Sequence, residues 1–234
     1  MTVKKPKSFL GKVLYVVLHR RAHLYGSIRG FALFTLAAFS RSIFSLKQVR
    51  LGRNVRLQKN KSVMAEPTAS IEIGDDTIIY ENAKIEAYQN GKIKIGKESV
   101  LGDIKIVSKY GITIGERFLS SWNVFIEDFD PHPIDPELRA LQVRDLVQNF
   151  RPRFAAPSSP PVQEEWASRG WNFPGEPIVI GNDVWVGANV TILKGAKIGN
   201  GCVVATGSVV VRGDYPDRSV LAGSPAKVIK QIEK

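Results

Sequence analysis

The chain has 234 residues, a formal net charge of +11, one cysteine and three histidines. That length suits one main folded domain with appendages. The single Cys202 excludes an intrachain disulfide framework, and one Cys with His19, His23 and His132 supplies no zinc ligand set.

The first element in chain order is a basic amphipathic helical arm at residues 1–48. Residues 1–65 hold fourteen Lys or Arg and no Asp or Glu, whereas the remainder holds nineteen Lys or Arg against twenty-two Asp or Glu. A basic arm on a mildly acidic body points to contact with an anionic surface. The arm's apolar runs, 13–18 and 31–39, fall well short of the roughly 20 residues a spanning helix needs. Arg20 and Arg21 interrupt the first run, and no small-residue cleavage site follows, so the arm is expected to be retained. Apolar runs between cations suit a lipid surface better than nucleic acid. Packing on the body or on a partner subunit is the other reading. The chain is accordingly expected in the cytoplasm, with peripheral contact at the inner membrane face.

Residues 49–211 follow a period of six. Ile180, Val186, Ile192, Ile198, Val204 and Val210 recur at that spacing. The residues four places after the first five are Val184, Val190, Ala196, Cys202 and Ser208, all compact. Gly follows the aliphatic at Gly181, Gly187 and Gly199. No α-helix fits, because six residues are about 1.7 turns and the apolar set would wander around the cylinder. The spacing predicts a triangular coil. Each hexad makes one short strand and a corner, and three hexads return the chain one strand spacing higher. The aliphatics point inward, the compact residues sit near corners, and the Gly residues supply corner dihedrals. Stacking is obligatory, since one coil cannot bury its own apolar face.

The same spacing runs more loosely through Leu51, Leu57 and Val63, through Ile73, Ile79 and Ile85, through Ile95, Leu101 and Val107, and through Ile114, Ser120 and Ile126. About six coils are therefore expected. Residues 127–179 break the pattern as a Pro-rich excursion, and a loop that long inside a compact domain is usually functional or disordered. A short helix is predicted over 135–150. The tail at 212–234 is turn-rich and is predicted to end in a helix that caps the coil.

Three stretches together resemble the hexapeptide-repeat acyltransferase family. They are Ile-Gly-Asn-Asp-Val-Trp-Val-Gly-Ala at 180–188, Val-Val-Ala-Thr-Gly-Ser-Val-Val at 203–210 followed by Ala-Gly-Ser-Pro-Ala-Lys-Val-Ile at 222–229, and His-Pro-Ile-Asp-Pro-Glu-Leu-Arg at 132–139. The resemblance covers roughly residues 95–230 and is nearest to the maltose, galactoside and polysaccharide O-acetyltransferases. It implies a mainly β fold, the left-handed parallel β-helix. Handedness rests on the resemblance alone, since crossover chirality by itself favours the right hand. It also implies a homotrimer in which acceptor and acyl-CoA meet between subunits, acetyl-CoA as co-substrate and no metal. The implied reaction is acetylation of a sugar hydroxyl in bacterial surface polysaccharide or glycolipid assembly.

Site residues follow from matching positions. His132 matches the family's general base. It is the only His outside the arm, it opens the excursion, and Pro131 and Pro133 restrict the backbone around it. An imidazole near neutrality suits removal of a hydroxyl proton and its later delivery to the CoA thiolate. Asp128 and Asp130 are the nearby carboxylates available to orient the ring, and Asp128 is also a candidate for acceptor binding. Asn123 lies where the family places an acceptor-binding amide, a structural corner Asn being the other reading. Trp166 and Trp171, with Phe173 and Trp122, are candidates to stack on a sugar or to pin the loop. Trp185, Gly187, Ala205, Thr206 and Gly207 match the family's CoA wall, with Arg212 and Lys227 as candidate phosphate contacts. Cys202 reads as inert core. The competing functions are N-acetylation of an amino sugar or drug-like amine and a non-catalytic scaffold. A metal-dependent hydratase on the same coil would need several His ligands, which a lone His132 cannot supply.

Overall fold

The computed structural model describes residues 48–59, 62–149 and 174–233. Residues 1–47 of the expected arm, and Trp166, Trp171 and Phe173 of the excursion, lie outside the described residues. The first coil is β1 (Val49–Leu51), β2 (Arg56–Leu57) and β3 (Val63–Ala65). The second is β4 (Ser70–Ile73), β5 (Ile78–Ile79) and β6 (Lys84–Ala87). The third is β7 (Lys92–Ile95), β8 (Val100–Leu101) and β9 (Ile104–Ser108), and the fourth β10 (Ile112–Ile114), β11 (Leu119–Ser120) and β12 (Val124–Glu127). Helix α1 (Pro136–Asn149) lies in the excursion. The fifth coil is β13 (Ile178–Ile180), β14 (Trp185–Val186) and β15 (Thr191–Leu193), and the sixth β16 (Ala196–Ile198), β17 (Val203–Val204) and β18 (Val209–Val210). Strands β19 (Gly213–Tyr215) and β20 (Ser219–Gly223) begin a seventh, and β21 (Ala226–Gln231) turns back along β20.

Every strand before β21 pairs in parallel with its equivalent one coil away, which gives a prism of three faces. Face A runs β1-β4-β7-β10-β13-β16-β19, face B runs β2-β5-β8-β11-β14-β17-β20-β21, and face C runs β3-β6-β9-β12-β15-β18. This is a parallel β-solenoid of about seven turns, consistent with the left-handed β-helix. It has one turn more than the spacing predicts, because Tyr215 stacks on Ile198 and Leu221 on Val204 beyond the last regular hexad.

The inward columns are the core. Ile73, Ile95, Ile114, Ile180 and Ile198 stack in face A, and Ile85, Ile106, Ile126, Ile192 and Val210 in face C, all buried. The third coil corrects the hexad reading. Ile106, not Val107, pairs with Ile85 and Ile126, because the step from Leu101 is five positions and not six. The compact positions Val184, Val190, Ala196, Cys202 and Ser208 are buried as expected. Phe118 occupies the equivalent position in the fourth coil and is also fully buried, so the column admits one large ring.

The glycines that follow the aliphatics have a different duty from the predicted one. At the edge after face A the positive-φ residues are Asn54, Asp76, Glu98, Arg117, Asp183 and Gly201, each two places after such a glycine. A Cβ on Gly96 would lie 2.5 Å from the Glu116 nitrogen, and one on Gly181 would lie 2.7 Å from the Asn200 nitrogen. These glycines therefore permit coil-to-coil contact instead of turning the chain. Side chains lace the same edge vertically. Asn182 Oδ1 accepts from the Glu116 N–H at 2.8 Å, Asn200 Oδ1 from the Asn182 N–H at 2.8 Å, and Asp217 Oδ1 from the Asn200 N–H at 2.7 Å.

The predicted terminal capping helix is a strand. β21 pairs antiparallel with β20, Ala222 against Lys227 and Gly223 against Ala226. The β-branched Val228 and Ile229 suit a strand, and backbone pairing with the open edge of β20 outweighs the helical propensity of a short tail. The helix predicted over 135–150 does form. Asp135 Oδ1 accepts from the Leu138 N–H at 2.8 Å as its N-cap, and Pro136 takes the first helical position, where no donor is needed.

Candidate active site

The excursion leaves from β12 and returns to β13, and its two ends are tied at the base. Phe129 bridges Gly175, the Asp130 N–H donates to the Pro174 carbonyl at 2.9 Å, and the Glu176 N–H donates to the Asp128 carbonyl at 2.9 Å. Gly175 lies so close under the Tyr110 ring that a Cβ there would meet it at 2.3 Å. His132 is thus carried on a neck with a fixed base at the edge between faces C and A.

Asp128 holds that base. Its carboxylate is fully buried and accepts from Ser108 Oγ at 2.6 Å and from the N–H groups of Lys109 at 2.9 Å, Tyr110 at 3.1 Å and Gly111 at 2.6 Å. The expectation that Asp128 binds the acceptor or orients the imidazole is corrected accordingly. Its oxygens are occupied by the 108–111 corner and face no solvent. Asp130 does not orient the ring either, since it is ion-paired with Lys194.

The group that does hold His132 is Gln142, which sequence reasoning missed. Gln142 is buried on α1, its Oε1 is 2.9 Å from His132 Nδ1, and its Nε2 donates to the Pro131 carbonyl at 3.2 Å. A carbonyl only accepts, so the amide nitrogen must face Pro131 and the amide oxygen must face the ring. Nδ1 is therefore the nitrogen that donates to Gln142, and in the neutral ring Nε2 is the nitrogen with a lone pair, on an exposed side chain. The signal was present in the chain: a helix with an N-cap at Asp135 returns its second turn over Pro131–His132.

Two further groups surround the base. Burial raises the Glu127 carboxyl above its ordinary range, with Lys105 and His132 opposing that shift and Asp128 and Asp130 adding to it. Burial likewise lowers the Lys109 ammonium, against the pull of Glu66, Glu127 and Asp128, and its Nζ lies 4.7 Å over the Phe129 ring. Neither was singled out from sequence.

The remaining candidates divide between two edges. Trp185 stands half-exposed on face B, while Gly187, Ala205, Thr206 and Gly207 line the edge between faces B and C in the fifth and sixth coils. Lys227 is exposed on β21, beside Ala222 and so next to that edge. Nothing lies within 4 Å of a Cβ built on Gly207, so this stretch is open to an incoming group. Arg212 departs from expectation. It sits on the edge between faces C and A and reaches Glu176 at 3.2 Å, so it does not join the others. Asn123 has φ of 54° at the B–C edge and donates to Asn189 Oδ1 at 2.8 Å, which is the structural corner role. Burial pushes the Cys202 thiol up, as suits an inert core residue. Among the described residues no group of His, Cys, Asp and Glu is arranged to hold a metal ion, and no helix is long and apolar enough to cross a membrane.

A three-faced parallel solenoid of six-residue repeats, with a His-bearing excursion tied at its base, is the architecture of the hexapeptide type of transferase. The family described as bacterial transferase hexapeptide (six repeats) matches residues 177–212, from just before β13 to just past β18. A protein of Escherichia coli K12, assigned as a lipopolysaccharide biosynthesis O-acetyl transferase, is 32% identical over 163 residues, 69% of this chain and 72% of that protein. The chain belongs to the hexapeptide-repeat acyltransferase family. A protein of Mycobacterium tuberculosis assigned as an acetyltransferase is 27% identical over 94% of this chain, which spans 62% of that relative's length. A tetrahydropyridine-dicarboxylate N-acetyltransferase of Clostridium perfringens is 55% identical, but over 25% of this chain and 24% of its own. Among solved structures, the polysialic-acid-specific acetyltransferase NeuO is 25% identical, covering 78% of this chain and 70% of that one with a TM-score of 0.45.

Proposed function

We propose that the chain transfers an acetyl group from acetyl-CoA to a sugar hydroxyl, with His132 as general base. The observation that carries this reading is the contact of His132 Nδ1 with Gln142 Oε1 on an exposed ring, which leaves Nε2 as the nitrogen to act on the acceptor. Nε2 removes the acceptor proton as the hydroxyl oxygen attacks the thioester carbon. The tetrahedral intermediate then collapses with cleavage of the C–S bond. The imidazolium returns its proton to the thiolate, which leaves as CoA thiol, and the product is a sugar ester. A backbone N–H at the solenoid edge is the expected oxyanion donor.

The acetyl-CoA arm runs along Trp185, Gly187 and Ala205–Gly207, with Lys227 toward a phosphate. Arg212 is not part of this contact. Within one chain the wall and His132 stand on different edges, separated by face C. Its strand β12 has four residues, about 13 Å at roughly 3.3 Å per residue. Packing of copies as a homotrimer closes that distance by setting the His132 of one subunit against the wall of the next. The glycan-biosynthetic role of the E. coli relative supports a sugar acceptor. The N-acetyltransferase likeness is confined to a short repeat segment and supports the shared coil more than an amine acceptor.

The test is acetyl transfer by the purified full chain to a panel of sugars, amino sugars and amines, with CoA thiol release as the signal. A product cleaved by hydroxylamine is expected, as an ester requires. A hydroxylamine-stable amide would move the assignment to N-acetylation, and no thiol release with any acceptor would remove it. The basic composition of residues 1–65 supports peripheral contact with the cytoplasmic membrane face, near a lipid-linked or growing glycan. Deleting residues 1–45 is expected to abolish co-sedimentation with anionic vesicles and leave the far-ultraviolet circular dichroism of the solenoid unchanged. Unaltered vesicle binding would discard the anchoring role.

A further inference from the structure

A cavity of about 530 Å³ opens on the B–C edge below the proposed acetyl-CoA wall. It crosses four coils. Gln58 comes from the first, Tyr80, Glu81 and Asn82 from the second, Asp103 from the third and Trp122 from the fourth. The two aromatic side chains are presented to solvent, Trp122 at 75% and Tyr80 at 45% exposure, so their ring faces are available. Among the described residues no Lys or Arg lines the cavity. Lys59, next to Gln58, is drawn to Glu81 at 3.4 Å and offsets part of that one charge.

We propose that this cavity is a subsite for further sugar units of the acceptor, and that it selects an uncharged or amine-bearing glycan chain over an anionic one. The inference rests on the sugar-hydroxyl reading above and goes beyond it by naming acceptor length and charge. A pyranose has an apolar C–H face and a rim of hydroxyls. Exposed Trp and Tyr rings match the face, since they are amphipathic and rigid. Glu81, Asp103, Asn82 and Gln58 match the rim, as carboxylates accept strong hydrogen bonds from hydroxyl pairs and amides both donate and accept. A uronic or sialic acid would bring its own carboxylate beside Glu81 and Asp103, with like-charge repulsion, and the neighbouring cation Lys59 is already drawn to Glu81.

Size points to several units. At about 4.8 Å per coil the cavity spans roughly 14 Å along the edge, and its volume falls in the range of about 300–1,000 Å³ that holds drug-sized ligands. One sugar ring fills only part of it. The cavity also shares its edge with Thr206 and Gly207, so a chain lying in it points toward the open end of the donor wall.

The experiment has two arms on the intact chain. In the first, isothermal titration without CoA compares neutral oligosaccharides of one to four units with oligogalacturonate and oligosialic acid of equal length. Affinity is expected to rise about tenfold or more from one unit to three with neutral chains, to be absent with the acids, and to lose its length dependence in Trp122→Ala and Tyr80→Ala. Absence of neutral binding, preference for an acid, or a length dependence that survives both substitutions overturns the inference. In the second arm, acetyl transfer to the same ladder follows the same order in kcat/KM. Binding without transfer to any sugar would leave the subsite standing and sink the proposed reaction. Transfer with no dependence on length would do the reverse.

Discussion

His132→Ala is expected to lower kcat for acetyl transfer by about 10²- to 10⁴-fold, the usual contribution of a positioned general base, with KM for acetyl-CoA little changed. The geometry predicts this division. His132 is exposed, packs into no core column, and its side chain contacts Gln142. Its removal is expected to subtract the proposed proton acceptor and to leave the solenoid and the proposed donor wall intact. Gln142→Leu probes the same point from behind the ring. It keeps the bulk of a buried residue but removes the acceptor that fixes Nδ1–H, so the ring loses its tautomer and its aim. A smaller kcat loss of about 10- to 100-fold is expected, the scale set by small misplacement of a reacting group. Full activity in His132→Ala would transfer support to the non-catalytic scaffold reading.

The second large effect is structural. Asp128→Ala is expected to destabilise the fold by about 3 kcal/mol or more, since several buried donors lose their acceptor at about 1–3 kcal/mol each. In a domain of this size that corresponds to a fall in Tm of roughly 6–12 °C. Three backbone N–H groups and the Ser108 hydroxyl converge on this one carboxylate. Because the Asp128 carbonyl also receives the Glu176 N–H, the neck of the excursion should loosen with the corner, and activity should fall beyond what the Tm predicts. Asp128→Asn keeps one acceptor oxygen and should land between the parent and the alanine variant. A Tm within about 2 °C of the parent for Asp128→Ala would show that the corner holds without its carboxylate.

These two positions show where sequence reading succeeds and where it stops. The strands from 180 to 211 are legible because the inward aliphatics recur at a fixed interval and the prism can be built only from that period. The earlier coils are legible in outline, yet the one-residue slip from Val107 to Ile106 is not, since both side chains are aliphatic and both are buried. Glycine identity does not reveal whether the missing Cβ serves a dihedral or a close neighbour: at Gly96 and Gly181 it serves the neighbour, at Gly201 and Gly207 the dihedral. The site is less legible for a similar reason. His132 stands out by residue type, but its partner depends on how a helix folds back over Pro131. A carboxylate close in sequence is not thereby close to the ring. Asp128 and Asp130 are a few residues away and are spent elsewhere, whereas Gln142 is ten residues on and in contact.

Strand β21 bears on how the molecule behaves in a crowded solution. A parallel solenoid can in principle grow without limit, because its last coil presents the same hydrogen-bonding pattern that received the previous one, and such an edge invites addition of a foreign strand. Face B does not end in that pattern. The chain reverses, pairs antiparallel and places Lys227 and Lys230 along the returning strand. The reversal changes the bonding geometry, and the two ammonium groups repel a second copy arriving in the same pose. Strand β21 thus acts as a chain terminator in the polymer sense, limiting head-to-tail fibre growth from this face of an otherwise repetitive body.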